Sequence, residues 1–524
     1  MSGATDVVVY GATGAGVMAA VAAARAGAAV RLVEPGRHVG GMVSGGLCWT
    51  DVGTASVIGG LAREFYQSVA DHYNAGLFEL RGPEPHVAEQ ILGAMLDAAG
   101  VEVELGQPLA GIDRGRQVVE ACRTASGWHR AAVFVDASYE GDLMAGAGVP
   151  YRVGRESRGL YGEHWAGRQP AYRPGRHNFG GVISPFAAQP TPAGTAAGQG
   201  GEDRLLPFIC PPELDRRGWP AEHLGEADGG LQSYGFRVCL TDRPANAVPI
   251  AEPSGYDPAR FELLRRYLDV AGASVGAQDL LGLVPDLLPA GKCDVNSIGP
   301  FSLNLLDGSN RDYPDGDPST RERVRERHLA YSHEFLYFLG HDGSVPEHIR
   351  RETRRWGLCA DEFGDTGYWP HQLYVRDGRR MTGAYVLTEH DLLDARPQPD
   401  AVALGSYNID IREVERTWRF MPEYERTAAV FNEGYLSVAV PSYPIPYRVL
   451  VPSSDHCGNL LVPVCCSVSH VAFGSVRTEP TLMSLGQAAG TAAALAAIGG
   501  TRVQDVDVGR VQGSLDETGP ALPV

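Results

Sequence analysis

"VVVYGATGAGVMAA", Val7 to Ala20, decides how the rest of the chain is read. The four apolar residues predict a strand buried on both faces, the glycines a tight turn, and Val17 to Ala26 a helix of small side chains that lies close on a sheet. The glycines fall at Gly11, Gly14 and Gly16, so Thr13 holds the middle slot where the dinucleotide spacing G-x-G-x-x-G wants glycine. A second strand, Ala29 to Val33, completes a βαβ unit and runs into Glu34 and Pro35, where an acidic residue reaches a ribose hydroxyl. Gly11 permits the turn and Gly16 the close approach of helix to strand. The backbone around Gly14 and Ala15 opens the helix, whose positive end favours an anion. Thr13 adds a hydroxyl that can hydrogen-bond a phosphate.

Three further segments extend this reading. "RHVGGMVSGGLCWTDVG", Arg37 to Gly53, follows the ribose position at once. Its glycines let backbone lie against a flat ligand, with Gly40, Gly41, Met42 and Ser44 as the contacts; it is similar to the segment that runs from ribose to isoalloxazine in flavoproteins of the glutathione-reductase type, a resemblance that implies FAD rather than NAD. "AAVFVDASYEGDLMAGAGVP", Ala131 to Pro150, predicts a buried strand ending at Asp136-Ala137-Ser138; it resembles the strand of two-domain flavoproteins that ends in a small residue at the adenine side, which implies that place for Ala137. "NLLVPVCCSVSHVAFGSVRTEPTLMSLGQAAGTAAALA", Asn459 to Ala496, predicts a strand, a loop bearing His470 and Arg477, and a helix over Thr481 to Ile498 started by Pro480. Such a helix aimed at a flavin's pyrimidine edge stabilises the charge that reduction places there, with Gly486 and Gln487 as its cofactor residues.

Composition sets the outer bounds. The 524 residues carry 45 Lys and Arg against 63 Asp and Glu, a net charge of −18 that argues against nucleic acid and anionic membrane surfaces. Nine cysteines without a C-x-x-C pair predict reduced thiols, and the opening residues predict no secretory leader, which reads as cytoplasmic. Pro480 to Thr501 carries no charge but is rich in Gly, Ala and Thr, so a buried helix is expected rather than a membrane span. Helices are expected over Ala62 to Tyr73 and Val87 to Ala99, and strands over Val101 to Leu105 and Ala131 to Val135. Past residue 151 the texture turns to Gly, Pro and Arg, with a loop expected at "AAQPTPAGTAAGQGGED" from Ala187. Five of seven tryptophans lie in the middle of the chain, and the cofactor texture returns near the end. The division predicted is 1–150 and 441–524 as one discontinuous Rossmann-type α/β domain, with an α+β substrate domain, 151–440, inserted into it.

Taken in order, these segments resemble the bacterial FAD-dependent oxidoreductase family, flavoproteins of the glutathione-reductase type with a likeness to the tRNA-modifying GidA-like proteins. The resemblance continues through "GGLAREFY" from Gly59, "KCDVNSIGPFS" from Lys292, "GYWPHQLYVRDGRRMTGAYVLTEHD" from Gly367 and "PSYPIPYRVLVP" from Pro441. It implies noncovalent FAD and a substrate enclosed by the insertion. Family members read G-G-T-P-A-G at the first loop, so Thr13 follows the family. Cys48 stands where glycine is expected and Arg412 where histidine is.

The expected chemistry is hydride transfer from a C–H beside O or N of a small polar substrate, such as a sugar, cyclitol or aminosugar, to flavin N5. Reoxidation is by O2 or another acceptor. The alternatives are a flavin monooxygenase or amine oxidase, and a non-catalytic FAD-binding protein. His470 is the candidate base, Arg477 and Arg448 bind polar or anionic groups, and Tyr447 lines the pocket with Tyr443 and Tyr407. Adjacent Cys465 and Cys466 point to opposite faces of a strand, so no metal site is expected from them with Cys457 and His470. Simple packing outweighs covalent flavin attachment at His38 or Cys48. The Arg-rich helices from Arg321 and Arg350 read as solvated faces. Neither a G-x-S-x-G elbow nor a Walker A loop occurs. Oligomeric state is left open by the sequence.

Overall fold

A computed structural model describes residues 5–80, 82–170, 178–187, 204–210, 223–284, 287–296, 298–420 and 428–516. The loop expected from Ala187 to Asp203 falls, past Ala187, outside the described residues, as does Trp219.

Five parallel strands form the nucleotide-type sheet: β1 (Val7–Tyr10), β2 (Val30–Val33), β3 (Glu102–Glu104), β4 (Val133–Asp136) and β5 (Leu460–Leu461). Their order is β5-β4-β1-β2-β3. Every residue of β1 and β4 is buried, which is why their sequences are continuous apolar runs rather than alternating ones. The chain leaves the sheet after β4 and returns to it only at β5, so residues from both ends build one layer.

Helix α1 (Gly14–Arg25) starts three residues before the expected Val17 because Thr13, not the glycines, is its N-cap. Helices α2 (Gly60–Tyr73) and α3 (Pro85–Ala99) likewise begin two residues early, α3 with Pro85 at its first turn and Gly100 in the left-handed conformation behind it. Between β3 and β4 lies an antiparallel meander of 111–114, 119–124 and 127–130 that the apolar pattern did not announce.

The middle of the chain contributes a four-stranded antiparallel sheet of 247–248, 357–359, 239–241 and 292–294, and the long helix α4 (Pro318–His341). It also adds an antiparallel ribbon of 415–420 with 428–433. The face of α4 from Arg321 is solvated except at Arg321 itself, which forms a two-pronged bond to Asp142 (2.6 and 2.8 Å) and so ties the helix to the end of β4. Trp356, Trp369 and Trp418 are buried in the core.

Helix α5 (His470–Val476) and helix α6 (Glu479–Gly499) complete this layer. By length and composition α6 is apolar enough to cross a membrane, but most of it is buried inside the protein. It lies on α1 at backbone contact: a Cβ on Gly486 would sit 2.1 Å from the Ala15 carbonyl oxygen, and one on Gly490 2.0 Å from that of Ala19. Glycine at these two positions is what allows the approach.

Candidate cofactor and substrate site

The glycine turn between β1 and α1 is built to a backbone requirement. Gly11 has φ +95°, and a Cβ there would lie 2.6 Å from the Ser138 amide; a Cβ on Gly16 would strike the Gly11 carbonyl at 1.9 Å. The Thr13 hydroxyl donates to the Ala137 carbonyl (2.8 Å) and accepts from the Gly16 amide (3.2 Å). This corrects the expectation that it faces a phosphate: the hydroxyl caps the helix and fastens it to the end of β4, and that is also how Ala137 takes part.

Glu34 accepts from the amides of Ala12 (2.5 Å) and Gly36 (2.6 Å), and burial pushes its carboxyl up to about 7. Pro35 continues from it, half-buried. Gly40 and Gly41 take positive φ, and the Gly40 amide donates to the Ala12 carbonyl, folding the Gly40–Ser44 loop over the turn. The Ser44 hydroxyl closes that loop on the Val39 carbonyl. The Met42 amide donates to the Tyr139 hydroxyl (2.9 Å), which donates to Glu479 Oε1 (2.7 Å) at the start of α6.

Three observations test whether this turn suits a dinucleotide. The amides of Gly14 and Ala15, in the first turn of α1, meet no acceptor among the described residues. A Cβ on Gly14 would fill a slot bounded by Met483 (3.0 Å), Glu479 Oε2 (3.1 Å) and Val43 (3.3 Å). Glu479 Oε2 is buried there without a partner, and burial pushes that carboxyl up to about 7. Free first-turn amides, a side-chain-free slot and a carboxylate at the end of β2 fit a pyrophosphate with its ribose.

At the carboxyl ends of β4 and β5, where parallel sheets place their ligand crevices, a narrow cavity is lined by Tyr139, Tyr374, Arg376, Asp377, Arg379, Cys465, Phe473, Arg477 and Glu479. His470 is the first residue of α5, 3% exposed, its Nδ1 2.7 Å from Asp377 Oδ2 though off the hydrogen-bond line. Its amide donates to Glu156 Oε2 (2.9 Å). Arg380 closes the chain, donating to Asp377 Oδ1 (2.7 Å) and Glu156 Oε1 (2.8 Å). Burial works to raise the Asp377 carboxyl, but Arg380 and then His470 outweigh it and hold it below the usual carboxylate range. Arg477 ends α5, giving Nη1 to the Tyr374 hydroxyl (3.0 Å) and Nη2 to Asp410 Oδ2 (3.0 Å).

Of the predicted site residues, Arg477 lines this crevice and His470 lies against Asp377, which lines it, whereas Tyr447 and Arg448 lie elsewhere. The Tyr447 hydroxyl donates to the Val503 carbonyl, and Arg448 is half exposed, paired with Asp400 and stacked on Tyr385. Gly486 packs on α1, and Gln487 accepts from the Leu61 amide (2.7 Å). Seven residues along a helix is roughly 10 Å, so both lie past the first turn of α6, whose Glu479 lines the crevice. Tyr443 bonds Ser475, and Tyr407 lies against Asp51 near Arg477. His38 is held by Glu89 and Asp365 and stacks on His371, while Cys48 is buried beside Cys239 and Cys359. Among the described residues the one grouping of metal-type side chains is Glu84, His86 and Glu362; Lys292 Nζ sits 2.5 Å from Glu84 and 2.7 Å from Glu362, so an ammonium already supplies the cation.

Sequence reasoning did not single out Tyr139, Tyr374, Arg376, Asp377 or Glu479. The available signal was "YVRDGRR", three arginines and an aspartate in seven residues of an acidic chain.

A family profile described as FAD dependent oxidoreductase matches residues 6–515. Similar solved structures include L-proline dehydrogenase from P. horikoshii, 14% identical over 29% of this chain and 58% of that one, with a TM-score of 0.24. THI4 from Thermovibrio ammonificans is 19% identical over 29% and 66%, with a TM-score of 0.22. Thioredoxin reductase from T. acidophilum is 19% identical over 25% of this chain and 34% of that one, with a TM-score of 0.17. The matched stretches span less than two thirds of those chains. Comparison with curated proteins gave no match.

Proposed function

Because the chain belongs to the FAD dependent oxidoreductase family and is an FAD-dependent enzyme, we propose that it oxidises a small polar substrate at a C–H beside oxygen or nitrogen, as an oxidase or dehydrogenase. The observation that carries this reading is the buried His470–Asp377 pair set beside an arginine-lined crevice at the carboxyl ends of β4 and β5. When bound, FAD supplies the hydride acceptor and passes the electrons on to O2 or another acceptor. The amides of Gly14 and Ala15 would hold its pyrophosphate and Glu34 its ribose. Residues 151–440 would enclose the substrate.

The chain's own residues supply positioning and proton transfer. Asp377 orients the His470 ring through Nδ1, which leaves Nε2 to take the substrate O–H or N–H proton as the C–H bond breaks. Asp377 stays ionised, since Arg380 holds its other oxygen. Arg477 is fixed by Asp410 and by Tyr374, and presents a rigid donor to a polar substrate group. Among the described residues no tryptophan lines the crevice, so nothing there favours a sugar or cyclitol over other polar substrates.

Anaerobic mixing of the yellow holoenzyme with polyols, aminosugars, amines, hydroxy acids and amino acids tests the reading. Bleaching of the flavin by one of these classes alone supports it. Bleaching only by NAD(P)H would favour a monooxygenase, and bleaching by nothing in the panel would leave a non-catalytic FAD-binding protein.

A further inference from the structure

Arg376 is the anomaly of the crevice. Its side chain lines the cavity, yet the residue is only 4% exposed. Its Nη1 donates to the Ser233 carbonyl (2.5 Å) and its guanidinium lies 4.1 Å from the centre of the Tyr374 ring. Among the described residues Nε and Nη2 meet no acceptor, and no carboxylate pairs with it.

The other buried cations show that this is unusual for the chain. Arg237 is bidentate on Asp294, Arg380 is shared by Asp377 and Glu156, Arg155 by Asp228 and Glu433, and Lys292 by three carboxylates. Arg416 also lacks a carboxylate, but its Nε, Nη1 and Nη2 each donate to an oxygen. Of the carboxylates around the cavity, Asp377 is engaged by Arg380 and His470 and Asp410 by Arg477, while Glu479 keeps Oε2 without a partner and burial pushes its carboxyl up to about 7. Burial and then Arg412, Arg477 and Arg237 push the Arg376 guanidinium down to about 9, the response of a cation among cations. A buried charge left in that state is costly unless an anion joins it.

Tyr374 gives the arrangement its geometry. Its hydroxyl holds Arg477 and its ring face holds Arg376, so two guanidiniums flank one side chain and open on the same cavity. Two such forks suit a planar, bidentate anion. Ser233, Arg237 and Arg412 all belong to the middle of the chain, which places this charge on the substrate side, away from the free amides of Gly14 and Ala15.

We propose that Arg376 is the carboxylate anchor of the site, and that the substrate is a small carboxylic acid carrying its reactive C–H beside oxygen or nitrogen: a hydroxy acid or an amino acid. This rests on the hydride-transfer reading above and narrows it.

The test needs no turnover. Acetate, propionate and benzoate, and their neutral amides, are titrated into oxidised holoenzyme while the flavin difference spectrum is followed. The carboxylates should bind saturably and the amides at least about 30-fold more weakly. Arg376→Gln should lose a similar factor, about 30-fold, for the carboxylates alone, the low end for truncating one partner of a buried charge pair. Arg376→Lys should recover part of that loss, and both variants should keep their FAD. Equal binding of acid and amide, no binding of either, or carboxylate affinity unchanged in Arg376→Gln would overturn the assignment. So would loss of FAD from Arg376→Gln with normal carboxylate binding once FAD is restored, since the charge would then serve the cofactor. Failure here leaves the hydride reading standing; bleaching by polyols or amines but by no hydroxy or amino acid would overturn the substrate assignment alone, and bleaching by nothing in the panel would sink the hydride reading.

Discussion

Gly490→Ala probes the seam on which the cofactor layer depends. The added Cβ would lie 2.0 Å from the Ala19 carbonyl oxygen. A carbon–oxygen contact needs about 3.3 Å, so α6 must withdraw from α1 by roughly 1.3 Å or bend. The obstacle is backbone, which cannot rotate aside as a side chain can. Overpacking of this kind costs about 1–3 kcal/mol or more, against roughly 1 kcal/mol returned by the better helix propensity of alanine. The thermal midpoint should therefore fall, with and without FAD, and Ala19→Gly should not rescue it because the clashing atom is the carbonyl. Gly486→Ala, 2.1 Å from the Ala15 carbonyl, should behave alike and distort the glycine turn next to it. Differential scanning calorimetry of apo and holo forms is the assay. Variants that melt with the parent, or rescue by Ala19→Gly, would refute the seam; a Gly486→Ala protein that is stable when FAD-free but binds FAD poorly would restore the cofactor role expected from sequence.

The other expectations are briefer. His470→Ala should keep its FAD and slow anaerobic flavin reduction by ~10²- to 10⁴-fold in stopped flow, while Tyr447→Phe and Arg448→Ala reduce at the parental rate; a parental rate in His470→Ala would make that residue structural. Thr13→Val removes the helix cap and should cost about 0.5–2 kcal/mol of stability with little change in FAD affinity. A large affinity loss at unchanged apo stability would mean the hydroxyl turns to the phosphate after all. Burial raises the Glu479 carboxyl to about 7 in the folded chain, so folding takes up a proton there, and the stability this gives is fully present below the ordinary carboxylate range and lost as pH rises through about 7. Glu479→Gln should flatten the fall of the apo thermal midpoint across that window, and an unchanged slope would show that the carboxyl is already ionised.

The parallel layer was legible because its signals are local. A buried run such as Val7 to Tyr10, a glycine turn and an Ala-rich helix each announce themselves within a dozen residues, and the return of that texture near Leu460 marked the discontinuity. Helix starts were misjudged by two or three residues because caps, not apolar periodicity, set them: Thr13 for α1 and Pro85 for α3. The role of Thr13 depended on the Ala137 carbonyl, 124 residues away, which no local pattern reports.

The polar site was legible in proportion to how little it depends on partners. His470 and Arg477 stand out in the sequence because they sit between a readable strand and a readable helix, and the fold sets Arg477 on the crevice and His470 against Asp377, which lines it. Arg448 looked equivalent in sequence, but Asp400 and Tyr385 draw it to the surface. Arg376, Arg379 and Arg380 differ even more sharply within five residues. Arg379 is taken by Asp142 and Asp315, Arg380 by Asp377 and Glu156, and Arg376 by a single carbonyl. Which of three neighbouring arginines keeps an unanswered charge is decided by carboxylates that topology delivers from the end of β4 and from the middle of the chain. The crevice is closed by the same long-range logic, since Tyr139 joins the Met42 loop to Glu479 across three separate segments. A change at that hydroxyl would therefore loosen the cofactor loop and the start of α6 together, although neither touches the other in sequence.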